Sequence, residues 1–334
     1  MGKITKIEGG VTAAKGFFSA SCMAQIKYTD RLDMAMVYSN SPCVSAGTYT
    51  TNLVKAAPVV WDRKITDGDG IVQAIVVNAG IANACTGKEG LDYCEQTANE
   101  AASVLGIKPE EVLVASTGVI GKQLPMEKIK AGVHKLKENL SDSLESASLS
   151  AEAIMTTDTI KKEIALEFEI AGTKVKMGGM CKGSGMIHPN MCTMLGFVTT
   201  DVAIDKALLL KALREDVVDT FNMVSVDGDT STNDSFIVLA NGQAKNKLID
   251  SEGEDYKTFK EALHQINVEL AKMMAGDGEG ATALFEVKVV GAQSKDQART
   301  LAKSVVTSSL TKAAIFGHDA NWGRILCALG YSGE

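Results

Sequence analysis

Short β-rich runs alternate with amphipathic helical segments along this chain. No Pro/Gly/Ser-rich linker interrupts them, and only five prolines occur in 334 residues. Such an alternation has to bury sheet faces and helix stripes against one another, which predicts a mixed α/β or α+β chain built in layers. Residues 71–77, IVQAIVV, read as a buried strand. Thr86-x-x-Glu89 is a capping box that predicts a helix start. Cys94, Ala98, Ala101, Ala102 and Leu105 share one face behind it. An apolar run over 112–115 ends in Ser116-Thr117-Gly118, and helices are predicted over 126–140 and 143–155. Residues 164–170 alternate as a strand that pairs with 173–177 through Ala171-Gly172. Residues 194–202 read as a buried strand. Leu209, Leu213, Val217 and Phe221 mark one helical face, and Phe259, Leu263, Ile266, Leu270 and Met273 another. Residues 283–290 alternate like a strand, and Ser294-x-x-Gln297 is a second capping box.

Composition excludes several classes of function. A net charge of -7 leaves no basic stripe for nucleic acid. No apolar run approaches the roughly 20 residues of a membrane helix, and the N-terminus has no secretory h-region. Seven cysteines, an odd number without a Cys-x-x-Cys pair, argue against a disulfide framework and a zinc site. Free thiols in a reducing cytoplasm are the expectation. Gly121-Lys122-Gln123 is no phosphate loop, and Gly276-Asp277-Gly278-Glu279-Gly280 lacks dinucleotide spacing. Asp227-Gly228-Asp229 lacks the closing glutamate of a calcium loop and reads as turn chemistry. No metal is expected.

The densest irregular stretch runs from Cys181 to Phe197, CKGSGMIHPNMCTMLGF. Gly183, Gly185 and Pro189 break any regular period. By composition this is a turn entering a strand. Chemically, a threonine at the start of a strand also suits self-cleavage. The Thr193 hydroxyl can attack the Cys192 carbonyl, and an N-to-O acyl shift followed by hydrolysis would free the Thr193 amine. That amine, with an ordinary pKa of about 7.7–8.0, could then serve as base for its own hydroxyl.

Lys182-Gly183-Ser184-Gly185-Met186-Ile187, Pro189-Asn190-Met191 and Thr193-Met194-Leu195 resemble the cleavage-site signature of the ornithine acetyltransferase (glutamate N-acetyltransferase) family of arginine biosynthesis. Further family-like blocks follow in order: Thr50-Thr51-Asn52, Asn83-Ala84-Cys85-Thr86-Gly87, Ser116-Thr117-Gly118-Val119-Ile120-Gly121, Met155-Thr156-Thr157-Asp158-Thr159, Val226 to Asp234, Gly278-Glu279-Gly280 and Asn321-Trp322-Gly323-Arg324. The resemblance spans nearly the whole chain. Cys192 stands where the family usually has alanine, His188 where a small residue is common, and His318 where arginine is expected.

The resemblance implies a layered α/β/β/α sandwich, N-terminal-nucleophile-like but of distinct topology. It implies cleavage into an α chain, residues 1–192, and a β chain, residues 193–334, the latter cut short at its C-terminus, with assembly as α2β2. Thr193 is then the nucleophile. Thr117 and Gly118 form the oxyanion hole, Thr156 and Lys182 contact the substrate α-carboxylate, and Glu279 contacts the ornithine ammonium. The substrates would be N2-acetylornithine and L-glutamate, without a cofactor; some family members also take acetyl-CoA as donor. Two other readings stay open at this level: a self-processing amidase or aminopeptidase, and a non-catalytic binding protein that is never cleaved.

Overall fold

One 16-residue strand organises the molecule. The computed structural model describes residues 4–188 and 194–334. In it, β1 (Thr5–Ile7) and β2 (Phe17–Cys22) precede β3 (Met34–Tyr49), which belongs to two sheets at once. Its first part, Met34–Tyr38, pairs with β2 and with β4 (Val72–Ile81); its last part, Val44–Tyr49, pairs with β9 (Ser235–Ala240). The register shifts between Tyr38 and Cys43. An irregularity of that kind bends a strand and lets it leave one sheet for another.

The first sheet is completed by β5 (Val112–Val119), parallel to β4. In the second, β6 (Lys162–Ile170) and β7 (Thr173–Lys182) form a hairpin, and β8 (Leu195–Thr200) joins β7 to β9. The strand order is β1-β6-β7-β8-β9-β3-β4-β5, with β2 on β3. The hairpin turns through Ala171 at φ 48° and Gly172 at φ 80°, the left-handed pair that a two-residue turn requires. Every residue of β4 is buried, as expected of a strand with both faces covered.

Among the described residues, the three larger apolar cores separate four layers. Between the sheets lie Phe17, Val37, Val77 and Leu113 from one and Met180, Phe197, Ile237 and Leu239 from the other. Helices α2 (Gly87–Leu105) and α3 (Met126–Glu138) cover the outer face of the first sheet, where Cys94, Ala98 and Ala101 meet Val76, Val112 and Val114. Helices α5 (Lys206–Val217) and α6 (Glu254–Gly276) cover the second through Leu209, Leu213, Phe259, Leu263 and Leu270. This is the expected α/β/β/α arrangement. Helix α1 (Ala57–Thr66) packs on β5, and α4 (Leu144–Ala153) on β2. The last helices, α7 (Lys295–Thr307), α8 (Ser309–Phe316) and α9 (Trp322–Gly330), pack on one another. No helix among the described residues is long and apolar enough to cross a membrane.

Two local expectations fail. Residues 283–290 form no strand. Their accessibility alternates, but they enter no ladder among the described residues, and alternation alone does not make a strand without a hydrogen-bonded neighbour. Thr86 does not cap α2: its hydroxyl donates to Asn83 Oδ1 at 2.8 Å instead, and Gly87 begins the helix at φ 65°. At α7 the expected cap is present, with Ser294 Oγ accepting from Gln297 N at 3.1 Å.

Candidate active site

The site begins where two backbones come too close for a side chain. In the β4–β5 ladder Gly80 lies opposite Gly118, and Ala79 opposite Thr117. Gly118 has φ 130°, and a Cβ there would overlap the Gly80 carbonyl; only glycine fits. The strand end is pinned from both sides. Ser116 Oγ donates to Asn78 Oδ1 at 2.6 Å, and Asn233 Nδ2 donates to the carbonyls of Ala82 (2.6 Å) and Ser116 (2.8 Å). The Thr117-Gly118 backbone is therefore fixed before any ligand arrives.

Lys182 ends β7 and is 7% exposed. Its ammonium lies 3.7 Å from Asp158 Oδ2. Asp158 also accepts from Thr156 N (3.0 Å), Gly183 N (2.7 Å) and the Lys162 ammonium (2.7 Å). Lys162, with no exposed surface, reaches Asp277 Oδ2 at 2.6 Å as well, and Asp277 accepts from Thr159 N at 3.0 Å. Two lysines and two carboxylates thus compensate one another, as buried charges must. Burial opposes ionisation of Asp158, but Lys182 and Lys162 outweigh it and hold its carboxyl down at about 2. Burial likewise lowers Asp277's readiness to ionise, yet Lys162 and Thr159 bring its pKa below the ordinary carboxylate value. Burial pushes the Lys182 ammonium below the ordinary lysine range, and Asp158 offsets part of that.

Glu279 follows α6. Its N–H donates to the Ser184 carbonyl at 3.0 Å, and its carboxylate occupies the place a Gly185 side chain would take. A cavity of about 340 Å³ is lined by Thr117, Gly118, Thr156, Lys182 and Glu279 together. These five expected site residues come from four separated stretches of sequence. Met194, the residue after Thr193, lines it too. Cys192 and Thr193 themselves lie outside the described residues. Just before them the chain is clamped: Ile187 N donates to Asp227 Oδ1 at 2.9 Å, and Met186 N donates to Oδ2. Thr230 Oγ1 donates to the His188 carbonyl at 2.9 Å. Asp227 Oδ1 also accepts from Asp229 N at 3.0 Å, the turn chemistry expected of it. A larger cavity of about 540 Å³ lies between α6, residues 281–287 and α7–α8, and of the expected site residues it touches Glu279 alone.

Sequence reasoning missed Lys27, Tyr28 and Asn233 in the lining and the Asp158–Lys162–Asp277 cluster behind it. Asp158 and Asn233 stand inside family-like blocks, which was the available signal. Lys162 and Lys27 carry none.

The fold is of the N-terminal-nucleophile-like α/β class. The ArgJ family model matches residues 19–334, and the chain belongs to that family. It is similar to the arginine biosynthesis bifunctional protein ArgJ 1 of Clostridium acetobutylicum, at 54% identity over 322 residues, 96% of this chain and 78% of that one. Its similarity to the bifunctional ArgJ of Symbiobacterium thermophilum is 54% over 329 residues, 98% of this chain and 81% of that one. Crystal structures of family members also resemble it. The bifunctional ArgJ of Bacillus halodurans matches with TM-score 0.55 and 41% identity, and ornithine acetyltransferase of Mycobacterium tuberculosis, complexed with ornithine, with TM-score 0.52 and 38%. Each covers 57% of this chain and 99% of its own.

Proposed function

We propose that the chain is a glutamate N-acetyltransferase of arginine biosynthesis that moves an acetyl group from N2-acetylornithine to L-glutamate through an acetyl-Thr193 ester. Maturation comes first. Thr193 Oγ attacks the Cys192 carbonyl, the peptide nitrogen leaves as the Thr193 amine, and water hydrolyses the resulting ester, leaving a carboxylate on Cys192. The freed amine takes the hydroxyl proton as Thr193 Oγ attacks the acetyl carbonyl. Negative charge develops on the acetyl oxygen, where the Thr117 hydroxyl and Gly118 N–H are the donors; such fixed donors contribute about 3–4 kcal/mol each. Ornithine leaves with the proton on its α-amine. The glutamate α-amine then attacks the ester, and Thr193 Oγ recovers its proton. Lys182 holds the α-carboxylate common to both substrates, Thr156 lies beside it, and Glu279 faces the ornithine side-chain ammonium.

The observation that supports this reading is the cavity that Thr117, Gly118, the buried Lys182, Glu279 and Met194, the residue following Thr193, line together. The cleavage step draws support from length. The solved relatives match as chains of about 57% of 334 residues, roughly 190, and cleavage before Thr193 yields a chain of 192. The reading includes acetyl-CoA as a second donor, α2β2 assembly of the two chains and a cytoplasmic location; the transfer itself needs no metal or cofactor. N-terminal sequencing of the mature protein tests nucleophile and cleavage position together. A sequence starting Thr193-Met194-Leu195 is expected, and an intact 192–193 bond in active enzyme would overturn the mechanism. Ornithine release that continues at full rate without glutamate would indicate a hydrolase instead.

A further inference from the structure

The proposed reaction sets one pocket a problem of charge. Both substrates carry an α-carboxylate, but the donor ends in an ammonium and the acceptor in a second carboxylate. Glu279 suits the first and repels the second. Lys182 is committed to the shared α-carboxylate and to Asp158. Among the described residues lining the cavity, the one other cation is Lys27.

Lys27 is delivered by a built loop. Buried Asp33 accepts from Ala24 N through Oδ1 (2.7 Å) and from Ile26 N through Oδ2 (2.6 Å), fixing a turn in which Gln25 adopts φ 59°. The Lys27 side chain consequently lies over Gly80, 2.8 Å from where a Cβ at that position would stand. Gly80 is the partner of Gly118 in the ladder, so Lys27 rides on the back of the expected oxyanion strand pair. Its ammonium sits 5.3 Å from the Tyr28 ring centroid. The Arg31 guanidinium is 4.7 Å from the same centroid and donates to the carbonyls of Met155 (2.7 Å) and Thr156 (3.4 Å). Tyr28 therefore sits between Lys27 and the segment carrying Thr156. No carboxylate among the described residues forms a salt bridge with Lys27, and residues 1–3 and 189–193 include no acidic side chain.

We infer that Lys27 is the acceptor-specificity residue: it binds the side-chain carboxylate of glutamate, while Glu279 serves the side-chain ammonium of the donor. This rests on the transferase reading above. Alternating occupancy of the two distal charges lets one pocket serve both halves of a ping-pong cycle.

The test measures acceptor selectivity. With N2-acetylornithine as donor, kcat/KM is determined for glutamate and for its uncharged isostere glutamine, in the mature protein and in Lys27→Met and Lys27→Arg. The ratio is independent of the fraction of variant that folds. Lys27→Met should lower the glutamate-to-glutamine ratio at least about tenfold, chiefly through KM for glutamate, and Lys27→Arg should restore most of it. An unchanged ratio in Lys27→Met overturns the inference and leaves the transferase reading standing. Peptide mass analysis of unsubstituted protein given donor alone is the control. Absence of an acetyl group on Thr193 overturns the transferase reading itself, and the inference with it.

Discussion

Asp158 lies between two buried lysines, 2.7 Å from Lys162 and 3.7 Å from Lys182, and its backbone partners are Thr156 and Gly183. One carboxylate therefore neutralises the charge that faces the cavity and positions the two segments that flank it. The first prediction concerns its counter-ion. Lys162→Met leaves Asp158 and Asp277 without their shared cation in a dry environment, which should cost about 3–5 kcal/mol of stability. Urea unfolding of the variant checks this.

The same carboxylate predicts an acid limit. Its folded pKa, about 2, lies below the ordinary 3.8. A depressed carboxylate stabilises the fold above the unfolded value, and that contribution disappears as pH falls through the folded value. Asp158 should therefore contribute about 2 kcal/mol at neutral pH. The contribution should fade between about pH 4 and pH 2. Unfolding free energies measured across that interval should show the slope, and Asp158→Asn should lack it.

The close approach of β4 and β5 separates two variants at adjacent positions. Thr117→Ala removes a hydroxyl and leaves the ladder intact, so kcat should fall about 10²-fold with little change in melting temperature. Gly118→Ala forces a Cβ into the Gly80 carbonyl and should lower stability and activity together. Thermal melts beside steady-state kinetics distinguish the two.

Asp227 holds the segment leading to the expected cleavage bond through the N–H groups of Met186 and Ile187. Asp227→Ala leaves both donors without that acceptor, and self-cleavage should slow by about tenfold or more. A denaturing-gel time course would show the uncut precursor persisting. Prompt cleavage would mean the clamp does not position the bond.

At the nucleophile itself, Thr193→Ala should abolish both processing and acetyl transfer, while Thr193→Ser, which keeps a hydroxyl, should retain processing. Intact-mass measurement decides it. Thr193→Ala protein that still matures would rule out this junction.

Some of this was legible in residues 1–334 because local chemistry declares itself. The β6–β7 turn needs left-handed residues, and Ala171-Gly172 supplies the glycine. Thr117-Gly118 closes an apolar run, and the periodicity of Phe259, Leu263, Ile266 and Leu270 announces the buried face of α6. Other features carry no such mark. The sequence of β3, MAMVYSNSPCVSAGTY, has serines, an asparagine and a proline in its middle and does not read as one strand, because its two ends answer to different sheets. Residues 283–290 carry the opposite lesson, since their alternation has no neighbour to satisfy.

The sequence by itself determined most element types, the family and the chemistry available: a threonine behind a glycine-rich turn, hydroxyl and glycine at a strand end, a lysine and a glutamate. Only the tertiary structure decided which charges meet. Lys162 and Asp277 are 115 positions apart, and Lys27 reaches the cavity because Asp33 folds its loop back over Gly80. Hydrogen bonding and hydrophobic periodicity act over a few residues and leave a local trace. Compensation of buried charge is settled by distance in space, after the sheets have packed.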